Sequence, residues 1–143
     1  MVQILLVLAS LAAVHHPGLM VAVTESYRAG YDSDGDESAL IGDWKGESQV
    51  VAQNTAAKDE VVVWHITKGR EQGTLTVRAD KIVNSRTINM GTLPFKIDKV
   101  RKGIFCQYGQ GVWCLAVKGK TMEGSLTRPD QTVLRRIKLE RSE

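Results

Sequence analysis

Cysteine and histidine are scarce, with two of the first and three of the second in 143 residues, and no group of them has the spacing that holds a structural zinc ion. Neither a metal site nor a cofactor is expected. A surplus of one charge is also lacking: 19 basic and 16 acidic residues leave a formal +3 spread along the chain, too mild and mixed to point to a nucleic-acid partner. Aromatic residues amount to 6%, and the basic residues of the C-terminal half leave no apolar band with aromatic girdles of the kind an outer-membrane barrel shows to lipid. From Gly42 onward helical periodicity is missing as well.

What is present begins with one apolar run. Ile4 to Val14 (ILLVLASLAAV) carries no charge, and its length suits a signal-peptide core while falling short of the ~20 residues of a bilayer-spanning helix. Residues 1–22 are therefore expected to be a signal peptide or apolar N-terminal segment, with Ser10 and Ala12 small enough for cleavage after Ala12. The mature protein is then secreted or periplasmic, with no integral membrane span. A start at Met20, or a short packed helix, is the competing reading. Residues 23–39 turn to Gly, Ser, Asp, Glu and Tyr and are expected to form a flexible linker. Within it Asp32, Asp34 and Asp36 look like the start of a calcium loop, but the twelfth position holds Asp43 rather than the bidentate Glu that the pattern needs.

Residues 40–143 read as one all-β domain. Short apolar and alternating segments, cut by turn residues, recur at roughly the 8–12 residue spacing of a barrel or sandwich. The predicted strands are Trp44 to Ala52, Glu60 to Lys68, Gly73 to Val83, Thr87 to Asp98, Ile104 to Tyr108, Val112 to Lys118, Thr121 to Thr127 and Thr132 to Glu140. Short turns separate most of them, and Gln53 to Asp59 is the one long connection. In the first strand Trp44, Gly46, Ser48 and Val50 share one face and Lys45, Glu47 and Gln49 the other. About eight strands in sequence most simply make a single antiparallel up-and-down barrel, which removes its edges by pairing the first strand with the last.

Gly42-Asp43-Trp44 has the G-x-W form that opens the first barrel strand of lipocalins and related calycins, and LIGDWKGES resembles the opening of small bacterial lipocalin-like domains. The resemblance implies that Trp44 plugs the closed end of the barrel beneath an arginine from the far end of the chain. Antiparallel closure brings Trp44 near Leu139 to Arg141, and Arg141 shares a face with Ile137 and Leu139. Arg141 is thus the candidate partner of the plug, in a contact worth about 0.5–2 kcal/mol.

The same parity turns Arg135 inward. Fatty-acid-binding relatives of the family hold a ligand carboxylate with interior arginines, so the resemblance makes Arg135 the candidate ligand anchor. An internal carboxylate such as Glu123 is the alternative partner, and a bulge that turns Arg135 to solvent is a third arrangement. Trp64 and Trp113 are candidate cavity-lining residues, with plain core packing as the other reading. His65 has no Ser, Cys or acidic neighbour set out in sequence as a triad or dyad, and no enzymatic activity is expected.

Cys106 and Cys114 flank Gly109-Gln110-Gly111. A three-residue loop places them opposite each other, within reach of a disulfide; a two-residue turn sets Cys106 against Trp113 instead. The disulfide is expected in an oxidising compartment and two thiols in a reducing one. Two functions remain open: an exported barrel that binds a small apolar or amphipathic molecule, or a filled barrel acting as a protein-interaction or inhibitor module through loops such as Gln53 to Asp59.

Overall fold

The structure, a computed structural model, describes residues Ser33–Glu143; the expected signal segment and the first part of the expected linker lie outside the described residues. A short helix, α1 (Ser33–Leu40), leads into eight strands: β1 (Gly42–Val50), β2 (Glu60–Lys68), β3 (Thr74–Val83), β4 (Arg86–Asp98), β5 (Gly103–Tyr108), β6 (Gly111–Lys118), β7 (Thr121–Thr127) and β8 (Val133–Arg141). They form one closed antiparallel barrel in chain order, with β1 hydrogen-bonded to both β2 and β8. The predicted strands and the observed ones differ at their ends by no more than two residues.

Period-two alternation decides what fills the barrel. Trp44 and Ser48 of β1 are buried while Lys45, Glu47 and Gln49 are exposed, and in β8 Ile137 and Leu139 are buried between exposed Arg136, Lys138 and Glu140. Trp44, Ile66, Leu75, Ile104, Leu115, Met122 and Leu139, each no more than 2% exposed, fill the end of the barrel where β1 begins and β8 finishes. Removing side chains of this size from water stabilises the fold by about 1.5–3 kcal/mol each. Turn chemistry sets the registers: Val83 pairs with Arg86 across Asn84 and Ser85, whose φ angles of 49° and 61° are those of a left-handed two-residue hairpin.

The seam between β1 and β8 is tight at Gly46. A Cβ there would lie 1.9 Å from the Lys138 carbonyl oxygen, so the position admits no side chain unless the backbone moves.

Two expectations are corrected. The end of the stretch read as a flexible linker is the helix α1. Its composition hides this, because an isolated helix of eight residues is far below the ~12–15 residues that hold together alone in water; its support comes from distant groups described below. The expected disulfide is absent, with both thiols free. Tyr108 pairs with Gly111, leaving a two-residue turn of Gly109 and Gln110, and Cys106 falls opposite Trp113 while Cys114 falls opposite Phe105. That one-residue change of register puts Cys106 on the buried inner face and Cys114 on the other side of the sheet.

Two outcomes are expected. Gly46→Ala loses about 1–3 kcal/mol in urea unfolding, and unchanged stability would show that the seam can open to admit a methyl group. Burial also raises the Cys106 thiol above its ordinary pKa, so with iodoacetamide at pH 8 Cys114 is alkylated before Cys106, and denaturation removes the difference. Recovery of no labelled thiol in the unfolded, unreduced protein would restore the disulfide.

Candidate functional site: a cavity beside Arg135

The closed end is the better-packed end, and it engages α1. Trp44 is fully buried and donates its indole N–H to the Leu40 carbonyl at 2.9 Å. Strand pairing sets Trp44 opposite Arg141, and the guanidinium carbon stands 5.9 Å from the indole centroid. The guanidinium also donates to the Ala39 carbonyl, and to the Ile41 carbonyl at 2.6 Å. A helix ends with carbonyls that have no partner in the helix, and α1 has no basic residue in its own last turn. Arg141, a hundred residues away in sequence, supplies the donors and the positive charge. Gly42, at φ 134°, brings the backbone close beneath that guanidinium, since a Cβ there would lie 3.4 Å from its terminal nitrogen.

The opposite end is hollow. A half-open cavity of about 320 Å³ lies there, walled by Trp64, Trp113, Phe95, Leu93, Met90 and Leu126, with Arg135, Glu60 and Ser48 on one side. Trp64 meets Trp113 edge-on, ring centroids 5.5 Å apart at 86°, and tilts against Phe95 at 5.4 Å. Such offset aromatic pairs add about 0.5–1.5 kcal/mol beyond area burial, and they make this wall stiff. Small residues open the remaining space: Ala79 and Gly91 lie opposite each other where a bulge shifts the β3–β4 register.

Arg135 points into this end with its side chain 16% exposed. Its guanidinium donates to the Ser48 hydroxyl at 3.0 Å and to the Lys58 carbonyl at 3.0 Å, and it lies 3.7 Å from a Glu60 carboxylate oxygen. Glu60 also meets Lys81 at 3.2 Å. The internal carboxylate is therefore Glu60 and not Glu123, which sits on the outer surface 3.3 Å from Lys138. Within this cluster two cations share one carboxylate, which leaves the wall of the cavity positive and suited to an anionic group. The loop from residue 51 to 59 is held at both ends: the Val50 amide donates to Asp59 at 2.7 Å, and the amides of Val51 and Ala52 donate to the Leu134 carbonyl.

His65 lies outside the barrel. Its ring nitrogens face Asp43 at 2.7 Å and Asp80 at 2.9 Å, with Arg78 3.4 Å from Asp80. This rung ties β1, β2 and β3 together across their outer surface. Sequence spacing conceals it, because the three residues meet only through strand register. Glu60 and Lys81 were hidden in the same way: Glu60 opens β2 and Lys81 lies two residues before the end of β3, and only the fold brings Glu60 to both Lys81 and Arg135.

Comparison with protein-family models, curated proteins and solved structures gives no match to this chain. The strand order and the closed barrel are consistent with a calycin-like fold.

Glu60→Gln and Arg135→Met are expected to be coupled, since the first leaves the partly buried Arg135 without its carboxylate and the second leaves Glu60 with Lys81 alone. A double-mutant cycle in urea should give a coupling of about 0.5–3 kcal/mol; strict additivity would show that the pair does not interact in solution.

Proposed function

We propose that this protein is an exported lipocalin-like barrel that binds a small amphipathic molecule with an anionic head. The observation that carries this reading is the cavity of about 320 Å³ with apolar aromatic walls and the Arg135 guanidinium on one side. Ligand pockets span about 300–1,000 Å³ and combine apolar lining with a few placed polar groups, so the space fits a short ligand near the lower limit. Arg135 is held by neutral acceptors and by a carboxylate that Lys81 shares. A ligand carboxylate would complete its charge pairing. Trp64 and Trp113 would then face the ligand's apolar part. Export rests on the uncharged run Ile4 to Val14, and no described helix is long and apolar enough to cross a membrane.

A fluorescent fatty acid and its uncharged alcohol analogue test the anchor. Arg135→Ala should weaken the acid by about tenfold or more, the effect of losing a charge-assisted hydrogen bond, and leave the alcohol nearly unchanged. Equal affinity for the acid in both proteins would remove Arg135 from the site. The mass of the mature protein from the culture medium or periplasm reads the cleavage point, and an intact chain confined to the cytosol would remove export.

A further inference from the structure

The β3–β4 hairpin stands taller than the wall beside it. β4 pairs with β3 from Arg86 to Lys96, with Met90 skipped at the bulge, but with β5 only at Lys96, Ile97 and Asp98. β5 ends at Tyr108, which the same register would set opposite Leu93. Residues 86 to 90 of β4 therefore run on past the β5–β6 turn with no described strand along that edge, and every residue from Arg86 to Thr92 is exposed.

The hairpin decides which groups this edge offers. Val83 and Arg86 flank the two-residue turn and exchange hydrogen bonds, so the backbone groups of Arg86 and Ile88 are directed to β3. Those of Thr87 and Asn89 are directed to the free edge. Nearer the closed end the strand carries features that keep edges from pairing with other chains. A bulge lies at Met90 and Gly91, where the Gly91 amide donates to the Asn89 side chain at 2.7 Å, and Pro94 has no N–H to offer. Between the turn and the bulge such features are missing except for Arg86. No residue from Thr87 to Phe95 is charged, and Ile88 and Met90 stand 44% and 42% exposed.

The uncovered stretch is complementary to itself. Set antiparallel against a second copy about a twofold axis at Ile88, Thr87 falls opposite the other copy's Asn89, and Asn89 opposite its Thr87. Each of these pairs exchanges both backbone hydrogen bonds. Ile88 then lies beside Ile88, and Met90 beside the aliphatic stem of Arg86. Arg86 is the one charged residue of the ladder, and its two copies sit at opposite ends, about 13 Å apart along the strands and beyond the ~8–10 Å over which surface charges act in salt. Neighbouring axes do worse. An axis at Thr87 sets Asn89 against Ser85 of the turn, and an axis at Asn89 sets Thr87 against the bulged Gly91.

We propose that the Arg86–Met90 edge of β4 is a homodimer interface, which joins two copies of the chain through a continuous β3–β4–β4–β3 sheet. Pairing satisfies the Thr87 and Asn89 backbone groups and removes Ile88 and Met90 from water. A ladder of five residues a side is small, so the dimer exchanges readily with monomer. It needs no ligand in the cavity.

Sedimentation velocity from about 10 μM to about 1 mM protein reads the association, and two charged variants read the register. Ile88→Lys and Ile88→Glu, at an exposed position, each set like charges side by side across the axis and should be monomeric. Their equimolar mixture should dimerise about tenfold or more tightly than either alone. Thr87→Pro removes an N–H that the monomer leaves unpaired and should abolish association, with circular dichroism reporting the fold retained. A wild-type protein that stays monomeric over the whole range overturns the proposal. A dimer that survives Thr87→Pro, or a mixture that associates no better than its components, places the contact elsewhere on the surface and overturns it as well. Amide exchange identifies the occupant: Thr87 and Asn89 should be at least tenfold better protected at the highest concentration than at the lowest. Protection that does not change with concentration would mean that the same chain covers the edge, and would overturn pairing with a second copy.

Discussion

The contact on which the rest of this molecule depends is the grip of Arg141 on the end of α1. One guanidinium donates to the carbonyls of Ala39 and Ile41 and stands over the ring of Trp44, while Trp44 donates to the carbonyl between them in sequence, that of Leu40. Four elements of cohesion meet there: the helix end, the plug, the first strand and the last. A helix as short as α1 has no stability of its own. Its place beneath the barrel follows from having its terminal carbonyls satisfied by the seam. In return it shields the plug, and the seam it covers is the closure that leaves the described sheet without a free first or last strand.

That arrangement divides the barrel into a packed half and a hollow half. Near Trp44 the inward positions carry Ile, Leu and Met, and these side chains are almost wholly removed from water. Toward the other end Ser48, Glu60, Ala79 and Arg135 stand among the large inward residues, polar or small, and they cannot interdigitate in the same way. An eight-stranded barrel has room for little more than its own side chains. The cavity therefore exists because specific positions withhold bulk, and the Trp64, Trp113 and Phe95 rings keep its walls from collapsing inward. Arg135 remains tolerable in that setting because Ser48, the Lys58 carbonyl and Glu60 compensate its loss of water.

Much of this was legible in the residues, and the exceptions have physical reasons. Alternation and turn chemistry locate all eight strands, because half-buried strands must alternate and turns must supply Gly, Asn or Pro. Parity along β8 and antiparallel closure lead to the pairing of Trp44 with Arg141, the pair seen in the register. Two of the features that escaped depend on contacts between residues far apart in sequence, and a third on the length of one turn. The helix α1 looks like a polar linker because its caps lie at the other end of the chain. The partner of Arg135 is Glu60, which no rule of neighbouring strands β7 and β8 would select. The turn after Tyr108 holds two residues where Gly-Gln-Gly admits two or three, and that single step separates Cys106 from Cys114.

The most direct test of the central claim, that the Trp44–Arg141–α1 contact holds the barrel closed, is hydrogen exchange of the Trp44 indole N–H as a function of urea. If the contact locks the whole fold, this proton exchanges only through global unfolding, with an opening free energy and urea dependence equal to those from the unfolding transition. Exchange through a small opening that is insensitive to urea, while the β-sheet amides stay protected, would show that helix and plug detach from an intact barrel and would contradict the account.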